Sequence, residues 1–237
     1  MSKIFEYDIV TSTFDKLKEF EPEHLLTVIA KQQTNGSGRL GRTWKSDDGG
    51  LYFSTLINAG YFAENTGFST VVCAVAGARV LSSFGNVYIK WPNDIVMNGK
   101  KICGILTKIS SENGSFDYIA AGIGINTNIT HFDKELTNAS SIFIETKQKC
   151  NNTDIAKKIL EQIDILIKTD KKEIIQEYKK LCITVGKQIT VHHVSDGEYK
   201  GICKDINDDG TLLVESDGKT FSVSSGEVSV RGLYGYV

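Results

Sequence analysis

The sequence predicts an α+β protein, with a mixed, largely antiparallel sheet carrying helices on one side and a small barrel at the C-terminal end. Three observations predict it. Short apolar runs between Leu51 and Ile125 are divided by Asn98-Gly99 and Asn113-Gly114, two strong two-residue hairpin turns. Apolar residues recur at helical spacing over 67–83 and again over 153–182. From Thr184 onward the chain changes to short alternating runs split by Asp196-Gly197, Asp209-Gly210 and Asp217-Gly218, the pattern of a small barrel or sandwich. A larger domain over 1–184 and a small one over 185–237 are therefore expected.

Residues 4–10 read as a first strand, and Thr11-Ser12-Thr13 supplies capping hydroxyls for a short helix over 15–20. The aliphatic run 25–33 reads as a buried strand holding Gln33 at its end, and 51–58 returns as another. The segment 67–83 is apolar on most faces, as a helix buried under the sheet would be, and Cys73 within it reads as core. Residues 87–91 form a strand presenting Lys90 at its end. A meander over 95–97, 101–109 and 116–125 closes in Ala121-Gly122-Ile123-Gly124-Ile125-Asn126, where strand glycines mark a bulge or the close approach of another group. Helices over 153–168 and 171–182 carry an apolar stripe opposite Lys and Glu. His192 and His193, adjacent in a strand, face opposite sides and cannot share a metal.

Chemistry concentrates in Gln33-Thr-Asn-Gly36-Ser37-Gly38-Arg39-Leu-Gly41-Arg42-Thr-Trp44. Its glycines let backbone approach a ligand, Arg39 and Arg42 offer planar forks for phosphate or carboxylate, and Trp44 offers a face for a base. Gly36 to Gly41 spells G-x-G-x-x-G, but a dinucleotide site needs a helix opening at the third glycine, and the polar run after Gly41 reads as more loop. The protein-kinase reading fails as well, since neither H-R-D nor D-F-G follows.

Composition narrows the class. In 237 residues, 41% are hydrophobic and 24% charged, with a net charge of -2 and dispersed basic residues, which argues against nucleic acid as a partner. Five scattered cysteines with no C-x-x-C pair suit a reducing compartment and no structural zinc. With neither a signal-peptide core nor a membrane-length apolar run, a cytoplasmic protein that spans no membrane is expected.

A second stretch, Lys90-Trp91-Pro92-Asn93-Asp94, follows the glycine loop, and Gly104-Ile105-Leu106 comes after it. Together these resemble the biotin protein ligases over nearly the whole chain. The resemblance implies their class II synthetase-like fold with an SH3-like C-terminal barrel. It implies use of ATP and magnesium, with no structural metal, to make biotinyl-5′-adenylate with release of pyrophosphate, and transfer of biotin to a lysine of a biotin carboxyl carrier domain. It also implies the short type with no N-terminal DNA-binding domain, acting as monomer or homodimer. By the same resemblance Ser12, Thr13, Phe14, Gln33, Gly36, Ser37, Gly38, Arg39, Lys90, Gly122 and Gly124 line biotin. Arg39, Arg42, Trp44, Asn93 and Asn126 hold the nucleotide, and Lys90 and Arg39 serve the reaction. Two positions depart from the family pattern: Phe14 stands where Ser-Thr-Asn has its Asn, and Ser37 where Gly-Arg-Gly-Arg has its first Arg. Three other classes compete: a lipoate ligase, which would have a different glycine loop; a nucleic-acid-binding module, which would need clustered basic and aromatic strands; and a binder of biotin without turnover, against which Lys90 beside two arginines argues.

Overall fold

The computed structural model describes residues 2–112, 115–193, 197–225 and 228–232, so the expected turn at Asn113-Gly114 and Asp196 of the next lie outside the described residues. The chain runs through β1 (Ile4–Val10), α1 (Thr13–Leu17), β2 (Thr27–Gln33), β3 (Leu51–Asn58), α2 (Phe68–Leu81), β4 (Val87–Lys90), β5 (Asp94–Met97), β6 (Lys100–Glu112) and β7 (Ser115–Ile125). It continues with α3 (Ile142–Thr146), α4 (Asn152–Leu166), α5 (Lys171–Leu181), β8 (Gln188–His193), β9 (Gly197–Ile206), β10 (Leu212–Ser216), β11 (Lys219–Val223) and β12 (Val228–Gly232).

Seven strands form one sheet in the order β1-β2-β3-β7-β6-β5-β4, in which β1 and β2 pair parallel and the remaining neighbours antiparallel. The mixed, largely antiparallel sheet is thus the expected one. Asn98 (φ 50°) and Gly99 (φ 75°) make the left-handed pair that a tight hairpin between β5 and β6 requires. α2 is buried on nearly every face and packs with α4 and α5 against one side of the sheet. The short α1, which Ser12 caps by accepting from the Phe14 amide at 3.2 Å, lies on the opposite side, where Leu17 joins Leu26, Val28 and Leu56. Val28 and Ile29 belong to different clusters because adjacent strand residues face opposite ways.

The C-terminal strands form a five-stranded antiparallel sheet in the order β11-β10-β9-β8-β12. Its apolar face, including Cys203, Ile206, Leu212 and Val214, is continuous with the core under the large sheet. Trp91, 2% exposed, stands at that junction: its amide donates to Thr184 Oγ1 and its indole Nε1 to the Gly210 carbonyl, both at 3.0 Å. Tyr178 of α5 donates to the Pro92 carbonyl at 2.9 Å. The turn after Lys90 is therefore clamped from below by α5 and by the small sheet.

Candidate active site

The glycine loop folds back on itself. Isolated bridges join Gln33 to Ser46 and Ser37 to Thr43, the Trp44 amide donates to the Gly36 carbonyl at 2.8 Å, and Arg39–Gly41 make one 3-10 turn. No long helix opens at the third glycine, as expected. Gly36 is glycine for a packing reason: a Cβ there would lie 2.4 Å from the Trp44 carbonyl oxygen.

Beneath the loop lies a cavity of about 510 Å³. Thr13, Phe14 and Gln33 wall one end; Arg42, Trp44 and Lys101 line it with Lys90, Asn93, Gly122 and Gly124. The ends of β2, β4 and β7 and the start of β6 supply Gln33, Lys90, the two glycines and Lys101, while α1 supplies Thr13 and Phe14, the glycine loop Arg42 and Trp44, and the turn after β4 Asn93. The Gln33 oxygen accepts from the Thr13 amide (2.8 Å) and hydroxyl (3.0 Å), while its Nε2 donates to Ser46 Oγ at 2.9 Å. Because the Thr13 hydroxyl donates to Gln33, Ser54 Oγ, 2.7 Å away, is the donor to Thr13. One Gln33 amide hydrogen remains for a ligand.

Trp44 lies flat on β7 and β6, where a Cβ on Gly124 or Gly104 would come within 2.4 Å or 2.6 Å of the indole. Its indole nitrogen is buried with no acceptor among the described residues. Arg39, half-buried, donates to Asn93 Oδ1 at 3.2 Å and to the Ser225 carbonyl. Burial pushes its guanidinium pKa down, and the Asp94 charge opposes that shift. Asn93 is itself stapled to β6, its Nδ2 donating to the Ile105 carbonyl at 2.7 Å.

The cavity wall brings together Thr13, Phe14, Gln33, Ser37, Gly38, Arg39, Arg42, Trp44, Lys90, Asn93, Gly122 and Gly124. It does not include Ser12, Gly36 or Asn126. Ser12 caps α1, Gly36 closes the loop, and Asn126 donates to the Ser140 carbonyl at 2.9 Å, fastening the segment after β7. Sequence reasoning missed Lys101. Its ammonium stands 5.0 Å from the Trp44 ring centroid and 2.6 Å from Asp94 Oδ1. Asp94 is the strand partner of Lys90 in the β4–β5 register, and Lys90, Asp94 and Lys101 all line the cavity. The available signal was a lysine three residues before Gly104, which reads equally as the start of a hairpin strand. The stretch Glu135 to Ala139 was missed too; it edges the cavity, and Asn138 accepts from the Lys101 amide.

The model of the biotin/lipoate A/B protein ligase family matches residues 6–126. The chain belongs to that family. A second model, the biotin protein ligase C terminal domain, matches residues 184–231 and places the chain among the biotin protein ligases. This ligase is 28% identical to the bifunctional ligase/repressor BirA of Bacillus spizizenii, over 94% of its own length and 72% of that protein's. To the biotin–[acetyl-CoA-carboxylase] ligase of Mycobacterium tuberculosis it is 25% identical, over 86% and 78% respectively. The structure of the Aquifex aeolicus biotin protein ligase in complex with biotin and ATP superposes with a TM-score of 0.88 at 28% identity, covering 98% of this chain and all of that one.

Proposed function

We propose that the ligase binds biotin and ATP side by side in the 510 Å³ cavity, forms biotinyl-5′-adenylate and passes biotin to a lysine of a biotin carboxyl carrier domain. The carrying observation is the cluster of Lys90, Lys101 and Arg39 on a wall that has the Thr13–Gln33 network at one end and the Trp44 face at the other. Two anions must meet for this reaction to start, and these cations lower the cost of bringing them together.

In the first step a biotin carboxylate oxygen attacks the α-phosphorus, an acyl–phosphate bond forms, and the bond to the β-phosphate oxygen breaks with its electron pair leaving on pyrophosphate. In the second, a neutral lysine amine attacks the acyl carbon, the amide forms, AMP leaves with the bonding pair, and the amine proton passes to solvent. Lys90, 8% exposed, meets the biotin carboxylate, and Lys101, over Trp44, faces the phosphate. Thr13 and the spare Gln33 amide hydrogen hold the ureido ring; Trp44 covers the adenine; Arg39 and Arg42 bracket the phosphates. Two carboxylates, Asp94 and Glu135, line the cavity, and magnesium is ordinarily held by one or two carboxylates with substrate phosphates, so the lining fits magnesium arriving on ATP. When bound there it would neutralise phosphate charge.

Among the described residues no helix is long and apolar enough to cross a membrane. We infer a cytoplasmic enzyme with a catalytic unit over 1–184 and a small C-terminal unit over 185–237. The test is incubation with biotin, ATP, magnesium and a purified carrier domain. A mass gain of one biotinyl group at one lysine, and none with lipoate, is expected; lipoylation without biotinylation would overturn the reading.

A further inference from the structure

A continuous run of hydrogen bonds joins the two ends of the cavity behind its wall. Ser54 of β3 donates to Thr13 Oγ1 at 2.7 Å, Thr13 donates to the Gln33 oxygen at 3.0 Å, and Gln33 Nε2 donates to Ser46 Oγ at 2.9 Å. Ser46 Oγ then donates to the Trp44 carbonyl at 3.1 Å. The direction is chemically fixed, because the Thr13 amide can only donate to Gln33 and the Trp44 carbonyl can only accept. Every donor in the run therefore points the same way, from the end that holds Thr13 to the end that holds the indole.

Ser46 is the link that no substrate in the cavity reaches. It lies off the cavity wall and is 6% exposed. Its hydroxyl is packed where the loop doubles back: a Cβ on Gly36 would lie 2.6 Å from Ser46 Oγ, 2.4 Å from the Trp44 carbonyl oxygen and 3.1 Å from Gln33 Nε2. The Trp44 amide donates to the Gly36 carbonyl at 2.8 Å, so both polar groups of the Trp44 backbone are tied at this crossing. The tilt of the indole on Gly124 follows from how that backbone is held.

We propose that Ser46 is a positioning residue that couples the two substrates. When an acceptor on biotin takes the spare Gln33 hydrogen, the amide plane is pinned, its other hydrogen stays on Ser46, and Ser46 holds the Trp44 backbone with the indole set for the base. The inference rests on the reading that places biotin at Gln33 and adenine at Trp44. A glutamine side chain turns about several torsions, and each bond it makes lowers the entropy cost of the next. Biotin should therefore tighten nucleotide binding, and the nucleotide should tighten biotin binding by the same factor.

Calorimetry with magnesium and α,β-methylene ATP, which cannot release pyrophosphate, reads that factor in titrations with and without saturating biotin. The unsubstituted protein should bind the nucleotide at least about fivefold more tightly with biotin present. Ser46→Ala should bring that ratio to within about twofold of one, because the run is cut between Gln33 and Trp44. Ser54→Ala removes an equally buried hydroxyl from the same run but leaves the links from Gln33 to Trp44 in place, so the ratio should persist there. A serine that served only the stability of the loop would weaken nucleotide binding equally with and without biotin, leaving the ratio unchanged in Ser46→Ala. That outcome, a ratio of one in the unsubstituted protein, or loss of the ratio in Ser54→Ala as well, would each overturn the inference and leave the ligase reading intact. Failure of the unsubstituted protein to bind biotin would overturn both.

Discussion

Gly122 and Gly124, two residues apart on β7, present one face to two different rings: a Cβ on Gly122 would fall 2.4 Å from Phe14 Cε2, and one on Gly124 2.4 Å from Trp44 Nε1. Strand alternation puts residues i and i+2 on the same side, so β7 is the common floor of the biotin and nucleotide ends. Gly124→Ala should lift the indole and raise KM for ATP by about tenfold, and Gly122→Ala should do the same for biotin, at roughly 1 to 2 kcal/mol each. Separate KM measurements check the split. Equal effects of both substitutions on both substrates would contradict it.

Gln33→Leu leaves the Thr13 amide without its 2.8 Å acceptor and cuts α1 from the glycine loop. An unsatisfied buried donor costs about 1 to 3 kcal/mol, so thermal stability should fall and biotin affinity with it. Calorimetry of biotin binding at a temperature where the variant remains folded separates the two effects.

Lys90→Met and Lys101→Met each remove a cation from the cavity wall. A group that stabilises charge in the transition state is worth about two to three orders of magnitude in rate, so adenylate formation should fall by that much in each. Ground-state biotin binding should fall by less, and for Lys101 less than for Lys90. Adenylate formation near the parent rate in Lys90→Met would reduce that residue to a strand-end lysine.

Burial pushes the Cys73 and Cys203 thiols up to about 12 and the Cys150 thiol up to about 11. The native protein should react slowly with thiol reagents at neutral pH and expose five thiols on unfolding. A thiol whose folded pKa lies above its unfolded value keeps a proton that the unfolded chain loses, so each favours the folded state fully below about 9 and progressively less above it. Melting temperature should therefore fall as pH rises from about 9 to 11. A rising melting temperature over that window would be inconsistent with buried thiols.

Most strands and the three long helices were legible because period and turn chemistry agreed: Asn98-Gly99 and Asp217-Gly218 both adopt the left-handed pair that their hairpins need. The five-residue α3 was not, since a single turn carries too little periodicity and is held by its Ser141 cap and Thr146. Within the site, Trp44, Arg39, Lys90 and Gln33 were legible from residue type and glycine spacing. Lys101 was not, because its place over Trp44 depends on the pairing of β5 with β6. Asn126, expected at the nucleotide, lies off the cavity wall with its Nδ2 donating to the Ser140 carbonyl, a partner fourteen residues on that no local pattern announces. The small C-terminal unit was legible from its Asp-Gly turns, but its hold on the site, through Trp91 to Gly210, depends on two positions 119 residues apart.

The central claim is that ATP is cleaved by biotin itself in the cavity under the glycine loop. Pyrophosphate release by the purified protein, measured with ATP and magnesium before any carrier domain is added, tests it most directly. The account predicts a burst that requires biotin and approaches one equivalent per enzyme, since the adenylate waits for its acceptor. Release that is independent of biotin, or none at all, would contradict it.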